Sequence, residues 1–377
     1  MPMTDGSDFA LSNDLVRLAS LLAPALGGRS TADYGFDEDI VTLAIRRHRI
    51  GPLLYAAALP RKDEIALAVF AALERSYRTN VQQHVYTELT LKQLSFLFKN
   101  AGIDWMVLKG LPQARRLYPD PAYRSSSDID ILVSPRAFRN AAMALETAGF
   151  LPKKPPLSPR SLYGRVLYYF VRDVSFSGRI PRREIELHQR PFFATGARVR
   201  AMRLTAERPF SSEDFPAPTP GPDYAFYVIA HGALSHWARL KWLADLVPLF
   251  AAITDQDKLR IIAIAESTRA TNSVAASLLL LDALFPYAAL GAFWPWLDGL
   301  RNAPGVCKRL EVYARTLNLP FFGKNTPIDD RRTSFEARWS FFEAPSTRGR
   351  LIFLGPLTSA LRALATARVR WNLRRAD

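Results

Sequence analysis

Residues 104–192 carry the short apolar runs and alternating patterns of β-strands, and the segments on both sides of them are patterned as helices. Before this region apolar residues repeat at helical spacing, and residues 63–100 contain neither Pro nor Gly, which predicts one long helix or two helices with a small bend. Helical patterns return from Asp223 onward. The order predicts an α+β protein, in which a small mixed sheet has a helical module on each side.

Within the patterned region, WMVLKG and DIDILV are predicted as strands with a short helix and a Pro/Ser-rich loop between them. A helix is predicted from Pro135 to Ala148, followed by a loop over residues 151–164 and two further strands in LYYFVRDVSFSG and RREIELHQRPF. We therefore expect three divisions, namely an N-terminal helical region over 1–103, an α/β core over 104–210, and a C-terminal helical region with a basic tail over 211–377.

The formal net charge of +15 is distributed unevenly along the chain. Residues 151–210 hold 13 Lys/Arg against 4 Asp/Glu, and residues 331–377 hold 10 against 3. Two basic stretches on a nearly neutral body predict anionic partners at two places, and a solvated surface is the alternative. In particular, the tail over 348–375 is expected either to bind nucleic acid or an anionic membrane surface, or to dock on the body with its arginines in water.

Several classes of protein are disfavoured by composition. Cys307 is the single cysteine, which excludes an intrachain disulfide framework and a multi-cysteine zinc site. The first residues carry acids and lack a basic segment followed by an apolar core, so we expect no secretory signal. No uninterrupted apolar run approaches the roughly 20 residues of a membrane span, so we expect no transmembrane segment. The single cysteine fits a reducing compartment, and we expect a cytoplasmic protein.

Asp128 and Asp130 lie two residues apart on the predicted strand DIDILV, so both carboxylates are expected on the same face. Like charges this close repel each other, and a divalent cation such as Mg²⁺ removes that penalty. Glu186, on a later predicted strand, is a third carboxylate that would complete a two-metal site. For an isolated pair of aspartates, the alternative is a strand end with two solvated acids.

Two residues at the end of the preceding strand strengthen the metal interpretation. Gly110 allows a phosphate to approach the backbone, and Lys109 supplies a positive charge for it. Glu186 and His188 alternate onto one face of their strand together with Glu184.

Other polar residues are expected to be structural. His231 and His236 are five residues apart on a predicted helix, which is not the spacing of a metal pair, and Asp245 is expected to pair with Arg239 or Lys241.

Taken together, these segments resemble an uncharacterised bacterial branch of the nucleotidyltransferase superfamily, which shares the catalytic core of DNA polymerase β. The resemblance rests on separated motifs in a common order: W-M-V-L-K-G, L-Y-P-D-P, Y-R-S-S-S-D-I-D-I-L-V, A-G-F and I-E-L-H. It extends to R-R-H-R-I-G-P-L-L-Y at 46–55 and to H-G-A-L-S-H-W-A-R-L-K-W-L-A-D-L at 231–246. It implies that residues 104–210 form the nucleotidyltransferase core.

The resemblance also implies roles for single residues. Asp128, Asp130 and Glu186 are expected to be both the metal ligands and the catalytic acids, with Glu186 helping to deprotonate the attacking hydroxyl. The residues expected to contact the nucleotide are Lys109, Gly110, Arg124 and His188. Two positions depart from the pattern, because Lys109 replaces a usual glycine of the wider superfamily and Gln189 replaces a usual aromatic residue of the branch.

The implied activity is a Mg²⁺-dependent transfer of a nucleoside monophosphate from a nucleoside triphosphate such as ATP to a hydroxyl acceptor, with release of pyrophosphate. Two Mg²⁺ ions are expected, with Mn²⁺ as an alternative ion. An anionic acceptor is expected because basic side chains surround Glu186: Arg182, Arg183 and Arg190. The alternative function is a catalytically inactive nucleotide- or nucleic-acid-binding module of the same fold.

Overall fold

The computed structural model describes residues 10–30, 33–154, 158–161, 164–165, 168, 171–178, 184–191, 206–207 and 215–319. The predicted basic tail over 348–375 lies outside the described residues, as do Arg182 and Arg183. No helix in the described ranges is long and apolar enough to cross a bilayer.

The described residues between 13 and 100 are mostly helical. The helices are α1 (Asn13–Leu22), α2 (Glu38–Thr42), which continues as a π-helix over Leu43–His48, α3 (Gly51–Ala58) and α4 (Leu67–Asn100). With its 34 residues, α4 confirms the prediction of one long helix in this part of the chain.

A five-stranded mixed sheet follows α4. Its strands, given with two of the helices between them, are β1 (Trp105–Lys109), α5 (Leu111–Leu117), β2 (Asp128–Val133), α6 (Phe138–Thr147), β3 (Leu151–Lys154), β4 (Asp173–Ser177) and β5 (Glu184–His188). The strand order is β1-β2-β5-β4-β3, in which β2 and β5 are parallel and the other neighbours are antiparallel. The helix-rich chain with one mixed sheet confirms the α+β class.

A two-stranded ribbon and a second group of helices complete the described part. They are β6 (Ala206–Glu207), β7 (Ala217–Pro218), α7 (Pro222–Leu234), α8 (Leu240–Ala244), α9 (Leu246–Ala251), α10 (Asp255–Ser267), α11 (Thr271–Leu284), α12 (Trp294–Asp298) and α13 (Pro304–Asn318).

One face of the sheet packs on α6 and on the C-terminal half of α4. Ile129 and Ile131 of β2 point into this core and contact the apolar cluster that holds Leu94 and Phe98 of α4. Since strand side chains alternate, burial of these isoleucines turns the intervening acids of β2 to the opposite face.

The described helices before and after the sheet share a second hydrophobic core. Leu18 of α1, Leu54 of α3, Phe226 of α7 and Leu278 of α11 are fully buried in it. Burial of this apolar surface holds the N-terminal helices against the C-terminal ones, on the side of the sheet where the acids lie.

Arg47, from the RRHRIGPLLY segment, joins the two groups of helices through hydrogen bonds. Its buried guanidinium donates through Nε to the carbonyl of Leu319 (2.7 Å), through Nη2 to that of Thr316 (2.8 Å), and through Nη1 to that of Ala238. These bonds connect the end of α13 and the turn before α8 to the π-helical segment that follows α2.

Several predicted boundaries differ from the structure. Residues 151–154, expected as loop, form the edge strand β3, whose backbone pairs with β4 although LPKK has no alternating pattern. The helix expected from Pro135 begins at Phe138, because 134–137 form a turn. The helix expected to continue past Leu234 is interrupted at His236 and Trp237, which both have positive φ.

Gly232 explains that interruption. A Cβ at this position would lie 2.2 Å from the ring of Trp237, so only glycine allows the fully buried indole to fold back against α7. The indole Nε1 then donates to Ser277 Oγ (2.9 Å), which makes Trp237 a packing residue.

Candidate functional site

The parallel pairing of β2 with β5 sets the acids opposite each other. Asp130 pairs in register with Glu186, and Asp128 pairs with Glu184. The Asp130 side chain is 2% exposed and that of Glu186 is 31% exposed. One acid is therefore enclosed by the protein, and its neighbour remains open to a ligand.

His188 closes this pair into a cluster of three. Its Nε2 lies 3.2 Å from Asp130 Oδ1 and 3.6 Å from Glu186 Oε2. One ligand atom of each of the three residues lies within 4.8 Å of the other two. Two carboxylates and an imidazole are ligands that divalent cations accept, so this donor set fits a metal ion.

Two buried atoms of the cluster support that fit. His188 Nδ1 has no hydrogen-bond partner among the described residues, and Asp130 Oδ2 has only an ion pair with Lys109 (3.3 Å). Buried polar atoms without hydrogen bonds are costly unless another group satisfies them. Burial lowers the pKa of His188, but its hydrogen bonds to Asp130 and Glu186 outweigh burial and raise that pKa overall. A metal held by His188 Nε2 would replace the proton that now lies between the ring and the carboxylates.

Lys109 lies beside the cluster, at the end of β1. Its Nζ is 3.3 Å from Asp130 Oδ2 and 3.3 Å from His231 Nε2. Burial lowers the pKa of Lys109, but the charges of Asp130 and Asp128 outweigh burial and raise it above its ordinary value. Lys109 therefore stays charged and compensates the buried acids.

His231 completes this contact from α7. Burial, reinforced by the charge of Lys109, holds the pKa of His231 well below its ordinary value. The neutral ring therefore accepts a hydrogen bond from Lys109. Reasoning from the sequence set His231 aside as structural, because nothing in the local pattern indicates a contact with a residue 122 positions earlier.

Asp128 lies on the same strand but outside the group of three ligand atoms. Its Oδ1 is 3.4 Å from Ser127 Oγ, which in turn accepts a bond from Arg49 Nη1 (3.1 Å). Burial raises the pKa of Asp128, but the charges of Lys109 and Lys241 outweigh it and hold that pKa well below its ordinary value. Asp128 is thus an ionised carboxylate, and its predicted metal role stays a prediction.

Gly110 follows Lys109 with a φ of +109°, a conformation that side chains other than glycine rarely adopt. A Cβ there would lie 3.3 Å from Ser126 Oγ, so glycine also lets the loop before Asp128 pass close to the end of β1. The residue type therefore has a local structural cause, and the predicted contact with phosphate stays a prediction.

Arg124 is committed to a buried ion pair. Its Nε and Nη2 donate to Oδ1 and Oδ2 of Asp245 at 2.9 and 2.8 Å, and the hydroxyl of Tyr118 donates to the same carboxylate. The sequence suggested Arg239 or Lys241 as the partner of Asp245. The partner is instead Arg124, which lies 121 residues earlier in the chain. The predicted contact of Arg124 with the nucleotide stays a prediction.

The loop that carries Arg124 is held from both sides. Asn80 Nδ2 of α4 donates to the carbonyls of Ala122 (2.6 Å) and Arg124 (3.0 Å). From the other side, Lys241 Nζ of α8 donates to the carbonyl of Ser125 at 3.3 Å. The two groups of helices therefore determine where β2 begins, and with it the position of Asp128 and Asp130.

These residues fall within one family match. Residues 35–286, more than half of the chain, match the model of a family described as "Uncharacterised nucleotidyltransferase". The chain belongs to this nucleotidyltransferase family. No curated protein and no solved structure matches it. Every residue of the candidate site in this nucleotidyltransferase lies inside the matched range.

Proposed function

We propose that this nucleotidyltransferase moves a nucleoside monophosphate from a nucleoside triphosphate, with ATP as the first candidate, to the hydroxyl group of an acceptor. The observation that carries the proposal is the cluster of Asp130, Glu186 and His188 beside the charged Lys109. A set of one buried and one partly exposed acid next to a cation suits a polyphosphate held through divalent ions.

In the proposed reaction the acceptor oxygen attacks the α-phosphorus and forms a new P–O ester bond. The bond from the α-phosphorus to the bridging oxygen of the β-phosphate breaks, and pyrophosphate leaves. Glu186 is the acid to which we assign the acceptor proton, because it is the most exposed member of the cluster. Lys109 supplies positive charge near the phosphates.

Asp128 and Asp130 would hold the metal ions together with Glu186, and the position of His188 makes it a further ligand candidate. When bound, two Mg²⁺ ions, or Mn²⁺ in their place, lower the pKa of the attacking hydroxyl and neutralise charge on the leaving pyrophosphate. Arg124 contributes by fixing the loop before Asp128, since its guanidinium is bonded to Asp245.

The wider classification belongs to the same proposal. Placement in the DNA polymerase β-like superfamily, in a bacterial branch, is supported by a pair of acids on one strand and a third acid on a parallel neighbour. The division into 1–103, 104–210 and 211–377 and a cytoplasmic location are proposed with it.

The test is pyrophosphate release with each nucleoside triphosphate and Mg²⁺, over a panel of hydroxyl acceptors. Asp130→Asn should lower the rate at least about a hundredfold, because metal-bound charge stabilisation supplies several kcal/mol. Glu184→Gln is the matched control, since Glu184 lies on the same face of β5 and pairs with the exposed Lys153. A wild-type rate in Asp130→Asn would contradict the proposal.

The second candidate is a binding module without turnover. One observation favours it: the Lys109 ammonium already lies 3.3 Å from Asp130 Oδ2 and compensates its charge without a metal. Nucleotide binding that persists in Asp130→Asn, with no pyrophosphate from the wild-type protein on any acceptor, would select this candidate.

A further inference from the structure

A large cleft opens on the α4 side of the loop that precedes Asp128. It has a volume of about 650 Å³ and lies between α2 with its π-helical continuation and the N-terminal half of α4. The lining residues that matter below are Arg46, Arg75, Thr79, Asn80, Gln83 and Ser125. The volume falls in the range of pockets that hold small molecules, roughly 300–1,000 Å³.

Two exposed guanidinium groups, Arg46 and Arg75, face this cleft, against one carboxylate, Glu38. Over the described ranges, no carboxylate lies within ion-pair distance of either arginine, and the neighbouring Glu74 pairs with Arg78 instead. Their charge is therefore available to an anion, and guanidinium groups suit phosphate through paired hydrogen bonds.

The remaining lining combines hydroxyl and amide groups with apolar side chains. Thr79, Asn80 and Ser125 offer groups that hydrogen-bond to hydroxyls, while Val41 and Val69 supply apolar contact. No aromatic side chain is among the described lining residues, so the cleft has no ring on which a nucleobase would stack. Its chemistry suits a hydroxylated anion better than a nucleoside.

The cleft also borders the loop that precedes Asp128. Ser125 lines the cleft and lies three residues before Asp128, and Asn80, another lining residue, holds the carbonyls of Ala122 and Arg124. Arg49 binds Ser127 at 3.1 Å in the same loop. A molecule in the cleft therefore lies against the loop that positions the acids.

We propose that this cleft is the acceptor site and that the acceptor is a small hydroxylated molecule with a phosphate group. Its phosphate binds Arg46 and Arg75, its hydroxyls bond to the polar lining, and it approaches the cluster past Ser125. The inference rests on the proposed nucleotidyl transfer and assigns to that reaction the class of its second substrate.

The experiment measures binding calorimetrically, on the full chain without nucleotide or metal, with ribose phosphate and glycerol phosphate as probes. Neutral ribose and inorganic phosphate serve as comparison ligands. We expect a hydroxylated phosphate to bind more tightly than either comparison ligand and to weaken at higher salt. The double variant Arg46→Gln/Arg75→Gln should weaken binding at least about tenfold, because it removes two charge-assisted contacts.

Arg78→Gln is the matched control, because Arg78 lies one turn along α4 from Arg75, is exposed, and does not line the cleft. It should bind the probes as the wild type does. Asp130→Asn should also retain probe binding while losing pyrophosphate release. The test of the acceptor site is therefore independent of the test of nucleotidyl transfer. No binding of either hydroxylated phosphate, equal binding of inorganic phosphate or ribose, or unchanged affinity in the double variant would overturn the acceptor assignment.

Discussion

Replacing Asp245 with Asn removes the counter-charge of a buried guanidinium. Asp245 accepts two hydrogen bonds from Arg124 and one from Tyr118, and the two side chains of the ion pair are only 8% and 10% exposed. Solvent therefore screens the pair weakly. In Asp245→Asn the Arg124 charge stays buried, while its partner becomes a neutral amide.

The cost of this change follows from the burial. Removing one partner of a buried ion pair destabilises a protein by about 3–5 kcal/mol, because the remaining charge has lost its compensation. The amide oxygen of Asn keeps one acceptor, so we expect a loss near the lower end, about 3 kcal/mol. The same change loosens the loop before Asp128 and should lower the rate of pyrophosphate release.

Urea unfolding followed by tryptophan fluorescence measures this loss. Glu74→Gln is the control, because it breaks the exposed pair with Arg78 and should cost less than about 1 kcal/mol. Replacing both partners, as Arg124→Met with Asp245→Leu, should cost less than Asp245→Asn alone, since no buried charge remains. A loss below about 1 kcal/mol in Asp245→Asn would refute this account of the ion pair.

Three further predictions concern single residues. His188→Asn should weaken binding of Mn²⁺ to the full chain at least about tenfold in calorimetric titration, because the cluster loses its imidazole. Gly110→Ala should destabilise the fold by about 1–3 kcal/mol in urea unfolding, because its φ of +109° is strained for alanine. Burial first, and the charges of Arg47 and Arg239 second, lower the pKa of His48 to about 3, so the neutral ring is favoured in the folded state. The neutral His48 ring contributes fully to the free energy of unfolding above about pH 6.5. Between about pH 6.5 and pH 3 that free energy should fall by up to about 1.4 kcal/mol per pH unit, and His48→Gln should remove this dependence.

Each of these three predictions has an outcome that would contradict it. Unchanged Mn²⁺ affinity in His188→Asn would remove this residue from the metal site. A fully stable Gly110→Ala would show that alanine adopts this backbone conformation without cost. If His48→Gln left the acid dependence of unfolding as it is in the wild type, the titrating group would be another residue.

The amino-acid pattern by itself determined the local elements. The apolar runs predict β1 and β2, and the absence of Pro and Gly over residues 63–100 predicts one long helix or two helices with a small bend, of which the structure has the first, α4. Alternation along β2 also predicts that the isoleucines are buried, which the core confirms. These predictions succeed because residue spacing decides which side chains share a face of one element.

Contacts between distant segments were decided by the tertiary structure alone. Arg124 finds Asp245 across 121 residues, and Lys109 finds His231 across 122, because α7 and α8 pack against the end of the sheet. Edge strand β3 forms because β4 offers it a backbone partner, although its own sequence lacks a strand pattern.

The composition of the metal cluster has the same origin. Sequence spacing relates Asp128 to Asp130, but the insertion of β5 beside β2 brings Glu186 and His188 to Asp130. Which atoms can share an ion depends on which strands become neighbours and in what register, and that is settled by packing the whole sheet against its helices.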